Sequence, residues 1–418
     1  MAQMDRRALL GLGAGAGIAA LGGLVPAKAA GGDSLASMTA GVSGIDPSAR
    51  AGRIAKAQAL MQANGFSALV IEPGSSMIYF TGVRWSRSER PTLAVLPAEG
   101  EPLIVTPHFE EPSVRETLGV PAQVRVWQED ESALAVVASW LRERKLAGGL
   151  VGVEETVREF IVDGLAKALP GTKVVNGAAI HRGVRMLKSP HELALMQLAN
   201  DITIAAYRWT YPQIASGMSR GEISDLMTKA TLALGGEVEF NLILLGEASA
   251  YPHGSGKPQV VRRGEVVLMD CGCSLHGYQS DISRTFVFGE PNADQRRVWG
   301  EVHEGQQIAI RAAQVGAAAG SVDDAVRAYY EKLGYGPRYQ LPGLSHRTGH
   351  GIGLDGHEPV NLVHGELTRL APGMCFSDEP GLYAPGKFGV RLEDCFHMTV
   401  TGPKWFSQPP SSIDAPFR

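Results

Sequence analysis

The chain has 418 residues, of which 44% are hydrophobic and 20% are charged, and its formal net charge is −4. This composition is typical of a soluble globular protein, and the length favours two domains over one. The small negative charge gives no reason to expect nucleic acid or an anionic membrane surface as a partner. A chain of this size can build a core without help from disulfides or a structural metal.

The first 45 residues have the pattern of an export signal followed by a linker. Arg6-Arg7 precedes a Gly/Ala-rich apolar run, ALLGLGAGAGIAALGGLV, and the small-x-small sequence Ala27-Lys28-Ala29 follows. This order resembles a bacterial twin-arginine signal, so we predict that residues 1–29 direct export to the periplasm and are removed. A retained membrane anchor is the alternative, which the scarcity of Leu and Ile in the run disfavours. Residues 30–45 are typical of a flexible linker.

Residues 46–184 predict a small α/β domain. Helical patterns at 51–64, 132–146 and 157–169 alternate with strand-like segments, namely FSALVIE, SMIYFTGV, TLAVLP, PLIVTP and GLVGVE. The domain contains no Gly-x-Gly-x-x-Gly element between a strand and a helix, so nucleotide binding has no support.

Residues 185–418 predict a second domain that begins with a strong helix signal. Ser189 suits an N-cap, Pro190 suits the first helical position, and Glu192 can complete a capping box. This helix should run to about Tyr211. A second helix should run from about residue 219 to 234, before the strand VEFNLILLG. Helices at 293–315 and 322–333, the latter capped by Ser321, precede further strands. The order of two helices and then strands occurs twice, which predicts a duplicated α/β half.

Two acids in this domain lie in strand-like sequence. VVLMDCG places Asp270 at the end of an apolar strand, and GYQSDISRTFVFG places Asp281 in a second strand eleven residues later. That spacing is compatible with a short hairpin. A charge in such a strand is costly unless it has a partner. Asp281 could simply pair with Arg284, but that pairing leaves Asp270 unexplained.

Three further segments supply potential ligands. HRTGHGIGLDGHEP contains His350 among glycines, MCFSDEPGLY places Glu379 before a Pro-Gly turn, and GVRLED places Glu393 on a strand. Four carboxylates and one imidazole suggest a pair of divalent ions. Oxygen-rich ligation favours Mn²⁺, with Co²⁺ or Zn²⁺ as alternatives.

These segments resemble the pita-bread metallopeptidases, in the branch of Xaa-Pro dipeptidase (prolidase) and aminopeptidase P. The Asp, Asp, His, Glu, Glu order matches, and residues 46–184 look like the N-terminal domain of the creatinase/prolidase branch. The resemblance implies an α/β (α+β) fold with a C-terminal pita-bread domain of two pseudo-twofold halves. It also implies that Asp270 binds one metal, Asp281 and Glu393 bridge both, and His350 and Glu379 bind the other.

The same resemblance assigns roles around the metals. A hydroxide held between the ions would attack the scissile carbonyl, and Glu379 would relay the proton to the leaving nitrogen. His253 in YPHGSG matches a substrate-side histidine, and His357 matches the histidine that steadies the tetrahedral intermediate. Other matching positions are His346 and Arg391, which line the substrate side, and Tyr383. Structural alternatives remain for these last residues: Tyr383 could pack, and Arg391 could neutralise Glu393 or Asp394.

The resemblance implies hydrolysis of the Xaa-Pro bond in dipeptides or short peptides. A strict dipeptidase needs a cation for the substrate's C-terminal carboxylate. Some prolidases place an arginine four residues after the catalytic histidine, where this chain has Asn361; Arg369 or Arg391 could substitute. The alternative function is a non-peptide amide or amidine hydrolase, creatinase-like, on the same fold. The family also leads us to expect a homodimer or homotetramer, in which the segment around Trp85 could reach a neighbouring site.

All four cysteines lie within a few residues of a proposed ligand: Cys271, Cys273, Cys375 and Cys395. The Cys271-x-Cys273 pair is a weak metal signal, and no zinc-type spacing accompanies it. We expect the four cysteines to serve as buried, small apolar side chains rather than to form a disulfide.

Overall fold

A computed structural model describes residues 35–417, and a six-stranded sheet organises the N-terminal part of this range. Its strand order is β4-β3-β2-β1-β5-β6; β1 and β3 are antiparallel to β2, and the other neighbours are parallel. The elements are α1 (Pro47–Ala63), β1 (Phe66–Ile71), α2 (Ser75–Thr81), β2 (Leu93–Pro97), β3 (Leu103–Pro107), α3 (Glu111–Thr117), β4 (Gln123–Trp127), α4 (Ala133–Glu143), β5 (Leu150–Val153), α5 (Glu159–Ala168), β6 (Lys173–Asn176) and α6 (Ala178–Arg185).

The segment SMIYFTGV forms helix α2, so its prediction as a strand is wrong. Aromatic and apolar residues follow one another there without a helical period, and both Met77 and Phe80 are fully buried. The helix ends at Gly82, whose φ of +81° lies in the left-handed region that favours glycine. Tertiary burial therefore decides the conformation of a short apolar run that local pattern leaves ambiguous.

The C-terminal part contains two helices followed by strands, twice over, as the sequence predicts. The first set comprises α7 (Pro190–Thr210), α8 (Arg220–Leu234), β7 (Glu237–Leu245), β8 (Val266–Leu275), β9 (Tyr278–Gln279) and β10 (Ile282–Val287). The second set comprises α9 (Ala293–Ala312), α10 (Gly320–Lys332), β11 (Gly349–Gly351), β12 (Glu358–Leu362), β13 (Cys375–Asp378), β14 (Gly381–Ala384), β15 (Phe388–Arg391), β16 (Asp394–Thr399) and β17 (Gly402–Trp405). The sheets have the orders β10-β8-β7, β12-β11-β13-β16-β17 and β14-β15.

Helix starts follow the capping signals with one exception. The predicted capping box is present at α7, where Ser189 accepts from the Glu192 amide and Glu192 accepts from the Ser189 amide. A second capping box, at Ser219, begins α8. The cap predicted at Ser321 is wrong: α10 begins at Gly320, and the Ser321 hydroxyl donates back to the carbonyl of Ala318.

The two domains share one continuous apolar core. Side chains from α1 and β1, such as Ile54 and Leu69, belong to the same buried cluster as Met196 of α7 and Met269 of β8. A buried ion pair crosses the same boundary: Arg53 lies 2.9 Å from Glu192. Shared burial of this extent fixes the N-terminal domain against the domain that carries the proposed ligands.

Residues 35–45, the described part of the predicted linker, are packed rather than free. Leu35, Val42 and Ile45 pack against the shared core, and the Met38 amide donates to the carbonyl of Leu234. The predicted signal at residues 1–29 lies outside the described residues. Among residues 35–417, no helix has the length and apolar character to cross a membrane.

Candidate metal centre

The five predicted ligands converge, although their places in the strands differ from expectation. Asp270 lies in the middle of β8 rather than at its end. Asp281 lies between β9 and β10, and Glu393 lies between β15 and β16, so neither is within a strand. Glu379 follows β13 directly, and His350 is the central residue of β11. Asp281, Glu379 and Glu393 lie where strands break off, and the register shifts beside His350, so these side chains leave the regular alternation and can point towards Asp270.

The ring of His350 is oriented like that of a metal ligand. Its Nδ1 lies 3.1 Å from the carbonyl of Gly351, so that nitrogen carries the proton and Nε2 has a free lone pair. Nε2 lies 3.7 Å from Asp281, 3.5 Å from Glu379 and 4.0 Å from Glu393. A lone pair that faces three carboxylate groups without an intervening donor is explained by cations between them.

The carboxylates also fit two ions rather than one. Ligand atoms of Asp270, Asp281 and Glu393 lie within 4.8 Å of one another, and so do those of His350, Glu379 and Glu393. Glu393 is common to both groups. Oδ1 of Asp270 and Oε1 of Glu393 are buried and have no hydrogen-bond partner within residues 35–417. One of these two oxygens belongs to the shared residue Glu393. A pair of bound divalent ions would supply the partners that both oxygens lack.

Without cations the cluster is electrostatically unfavourable. Burial, then the negative charges of Asp270 and Glu379, raise the pKa of Asp281 well above its ordinary value. Burial and the charge of Asp281 do the same to the pKa of Glu393. Burial also raises the pKa of Glu379 to about 7. A carboxylate with that pKa can both accept and release a proton near neutral pH.

The metal-free protein is therefore expected to melt at a higher temperature at about pH 6.5 than at pH 8. The folded pKa of Glu379 is about 7, against an ordinary value of 4.5, so the folded state binds a proton that the unfolded state lacks. Stability then falls as pH rises through 7. Burial lowers the pKa values of His346 and His350, so these groups oppose the trend, and their effect fades as pH rises above their ordinary pKa of 6.5. Differential scanning fluorimetry in a chelator tests this, and Glu379→Gln should flatten the dependence. A melting temperature that rises over this range would contradict the expectation.

Arg391 is buried within the ligand network. It donates to Asp270, to the Ser283 hydroxyl at 2.9 Å and to the carbonyl of Pro252 at 3.2 Å. The Ser283 hydroxyl in turn donates to Glu393 at 2.8 Å. Arg391 therefore balances part of the negative charge and orients two ligands. The alternative in which it pairs with Asp394 is wrong.

The backbone joins the two sheets at the same point. The Ser283 amide donates to the carbonyl of Glu393, and the Glu393 amide donates to the carbonyl of Ser283, at 3.3 and 3.1 Å. The alternative pairing of Asp281 with Arg284 is also wrong, because Arg284 pairs with Asp394 at 2.7 Å. Asp281 is left free to face the other ligands.

His346 and Tyr383 form a hydrogen-bonded pair beside Glu379. His346 Nδ1 bonds the carbonyl of Arg347 at 2.7 Å, so its Nε2 accepts from the Tyr383 hydroxyl at 2.8 Å. Burial lowers the pKa of His346 to about 3, so its ring is neutral. The ring lies 4.0 Å from Glu379. Both residues contact the ligand network, which is more than the packing role left open for Tyr383.

His357 and His253 are exposed residues at the edge of the cluster. The His357 ring packs edge-on against that of His350, with centroids 4.2 Å apart. His253 follows Pro252, whose carbonyl is held by Arg391. The role of both histidines towards a substrate stays a prediction.

The sequence analysis did not predict Arg347, a cation at the same edge of the metal centre as His357. Arg347 is half-buried, and within residues 35–417 its guanidinium has no hydrogen-bond or ion-pair partner. The pKa values of His350 and His357 are lowered, first by burial and then by neighbouring positive charges that include Arg347. The same charge acts on Glu379, whose amide bonds the carbonyl of Thr348. An arginine beside a predicted histidine was the available signal.

Arg369 and Arg391, the arginines predicted as partners of a substrate's C-terminal carboxylate, are less suitable for that role than Arg347. Arg369 is exposed and donates to the carbonyl of Gly316. Arg391 is committed to Asp270. Asn361 lies opposite His350 in the strand register but carries no charge.

Two further predictions from sequence concern the segment around Trp85 and the four cysteines. Trp85 packs against the core of its own chain, so its reach towards a neighbour stays a prediction. All four cysteines are buried and free, which confirms their apolar role.

The fold and this cluster define a metal-dependent hydrolase. Residues 194–400 match the model of metallopeptidase family M24, and residues 53–187 match the Creatinase/Prolidase N-terminal domain. The chain belongs to metallopeptidase family M24, which confirms the predicted fold class and the requirement for divalent metal.

Relatives and solved structures agree over nearly the whole chain. The Xaa-Pro dipeptidase of Lactobacillus helveticus is 31% identical, over 84% of this chain and 95% of the relative. The crystal structure of dipeptidase PepE from Mycobacterium ulcerans is similar with a TM-score of 0.82 and 31% identity, over 88% of this chain and 98% of that one. The prolidase from Pyrococcus furiosus has a TM-score of 0.70 and 26% identity, over 84% and 99%.

Proposed function

We propose that the chain hydrolyses the peptide bond before proline in dipeptides, with two divalent ions of which Mn²⁺ is the first candidate. The observation that carries the proposal is the convergence of five ligands in two groups that share Glu393; a third group brings His357 to Asp281 and His350. The names of the relatives, Xaa-Pro dipeptidase and prolidase, support the substrate class. The neutral imidazole and the four carboxylates suit Mn²⁺, and Co²⁺ or Zn²⁺ remain alternatives for metal analysis to separate.

The residues around the ligands can bind substrate and move its proton. Divalent ions held here supply Lewis-acid polarisation of the scissile carbonyl and acidification of water. Glu379, with a pKa of about 7, accepts a proton and returns it to the leaving nitrogen. His357 donates a hydrogen bond to the oxygen on which negative charge develops. His346 is held by Tyr383 and keeps a neutral ring beside Glu379.

The test is metal analysis together with assays on three substrates: an Xaa-Pro dipeptide, the same sequence extended at its C-terminus, and creatine. Turnover of the dipeptide above the others, with two metals per chain, is the expected result. A metal-loaded protein that cleaves no Xaa-Pro bond would overturn the proposal. Turnover of creatine would instead favour the amidine hydrolase alternative, against which the complete set of ligands argues.

Arg347 is the residue that we propose receives the substrate's C-terminal carboxylate. Arg347→Gln should lower kcat/KM for the dipeptide by about 10–100-fold, the loss of about 1.5–3 kcal/mol expected for a charge-assisted hydrogen bond. It should change turnover of the dipeptide amide by less than about threefold, because that substrate lacks the carboxylate. Arg369→Gln is the matched control. Equal losses on the acid and the amide would argue against carboxylate recognition.

Export and assembly are proposed from sequence and family alone. A signal at residues 1–29 would deliver the folded, metal-loaded enzyme to the periplasm. Cell fractionation of a variant with Arg6→Lys and Arg7→Lys tests the export. Sedimentation analysis tests the expected homodimer or homotetramer.

A further inference from the structure

Glu358, the residue after His357, is buried between two cations. Its carboxylate lies 2.6 Å from Arg185 and 2.8 Å from Lys188. Arg185 was predicted to begin the second domain, but it is the last residue of α6 and lies within residues 53–187, which match the N-terminal domain model; Lys188 lies in the connection to α7. Although burial opposes the charged form, Lys188 and Arg185 lower the pKa of Glu358 to about 2, so it stays ionised.

The loop before His357 is folded around this carboxylate. The Leu354 amide donates to Glu358 at 3.0 Å. A Cβ at Gly353 would lie 2.8 Å from both the Glu358 carboxylate and the Lys188 side chain, so a larger residue there would displace this ion pair. The carbonyl of Gly353 accepts from the amide of Gln279, two residues before the ligand Asp281.

A second acid of the loop is held by the N-terminal domain as well. Asp355 lies 2.7 Å from Arg185 and also accepts from the Ser75 hydroxyl at the start of α2. Arg185 thus binds two carboxylates, one on each side of His357 in sequence. One guanidinium can hold two acids in a fixed relative position, which a point charge cannot do equally well.

His357 has no comparable support of its own. It is exposed, and its ring makes no hydrogen bond within residues 35–417; its one aromatic contact is with His350. The position of this ring therefore follows from the backbone between the two anchored acids. If His357 acts on substrate as proposed above, its placement depends on the neighbouring domain.

We propose that Arg185 is a positioning residue: by binding Asp355 and Glu358, it holds the loop so that His357 faces the metal centre. The inference rests on the proposed function for its effect on catalysis. It assigns the N-terminal domain a direct part in assembling the site of its own chain.

The first test measures position without activity. Hydrogen-exchange mass spectrometry of full-length, metal-loaded protein should show faster exchange of the peptide covering residues 353–358 in Arg185→Gln. The matched control is Arg182→Gln, from the same helix, because Arg182 pairs with Glu155 and makes no hydrogen bond or ion pair with residues 353–358. Unchanged exchange in Arg185→Gln would overturn the inference, whatever the substrate proves to be.

The second test is a double-mutant cycle on an Xaa-Pro dipeptide. Arg185→Gln should lower kcat by about 10–100-fold and change KM by less than about threefold, the effect typical of a supporting residue. Arg185→Lys should restore part of the loss. In a His357→Ala background, Arg185→Gln should have little further effect, since both act through one ring. An undiminished effect in that background would overturn the inference.

Two further outcomes are separable. If Arg185→Gln fails to fold, Asp355→Asn replaces it in both tests. The Asp355 side chain is half-exposed, and its substitution removes only one of the two carboxylates that Arg185 binds. Wild-type protein that cleaves no Xaa-Pro bond refutes the proposed function, and the exchange measurement still decides whether Arg185 holds the loop.

Discussion

Glu393→Gln is expected to lower Xaa-Pro dipeptidase activity by roughly a thousandfold or more, since the metals contribute several kcal/mol to transition-state stabilisation. Glu393 belongs to both groups of converging ligands, and its Oε1 has no other partner. The amide keeps the shape of the side chain but removes the charge that two cations share. Metal analysis should show fewer than two ions per chain, and Glu290→Gln on the surface is the control.

The same substitution should have the opposite effect on the metal-free protein. Burial and the charge of Asp281 disfavour ionised Glu393, so the amide relieves repulsion and the melting temperature in chelator should rise. Added metal should stabilise the wild type more than the variant, because a protein that binds fewer ions gains less from them. An active variant with two bound metals would refute the assignment of Glu393 as a shared ligand.

Asp394→Asn is expected to lower the free energy of unfolding by about 3–5 kcal/mol. Asp394 pairs with Arg284 at 2.7 Å and accepts from Gln306 at 3.0 Å, and both members of the ion pair are almost completely buried. An amide cannot balance the guanidinium, which would remain charged in the interior. Arg284 also donates to the carbonyl of Glu393, so the loss should reach the metal centre.

Urea unfolding of the metal-free protein measures this change without the contribution of bound ions. The control is Asp414→Asn, which removes the exposed partner of Arg296 and should cost less than about 1 kcal/mol. A similar, small loss in both variants would show that the buried pair contributes little to stability.

The sequence predicted the chemistry of the site better than its local structure. Asp270, Asp281 and Glu393 were found because charged residues in apolar segments need partners, an argument that does not depend on exact strand ends. Their positions relative to those ends were wrong, since hydrogen bonds between distant strands decide where a strand stops. The same holds for α2, where burial by the rest of the protein outweighs local preference.

Contacts between residues far apart in sequence could not be predicted. Arg185 and Glu358 are 173 positions apart, and nothing in either segment indicates that they meet. Ser283 was overlooked because a serine in a strand is ordinary, and only the tertiary structure places it between Arg391 and Glu393. The residues that orient the ligands were therefore less predictable than the ligands themselves.

The backbone bridge between Ser283 and Glu393 couples folding of the C-terminal domain to metal binding. Asp270 and Asp281 belong to the first half of the C-terminal domain, and His350, Glu379 and Glu393 belong to the second. Neither half possesses a complete set of donors, and the bridge closes only when the halves meet. Binding of both metals therefore requires the two halves to associate completely, and a chain cut between β10 and α9 would recover activity only by fragment complementation.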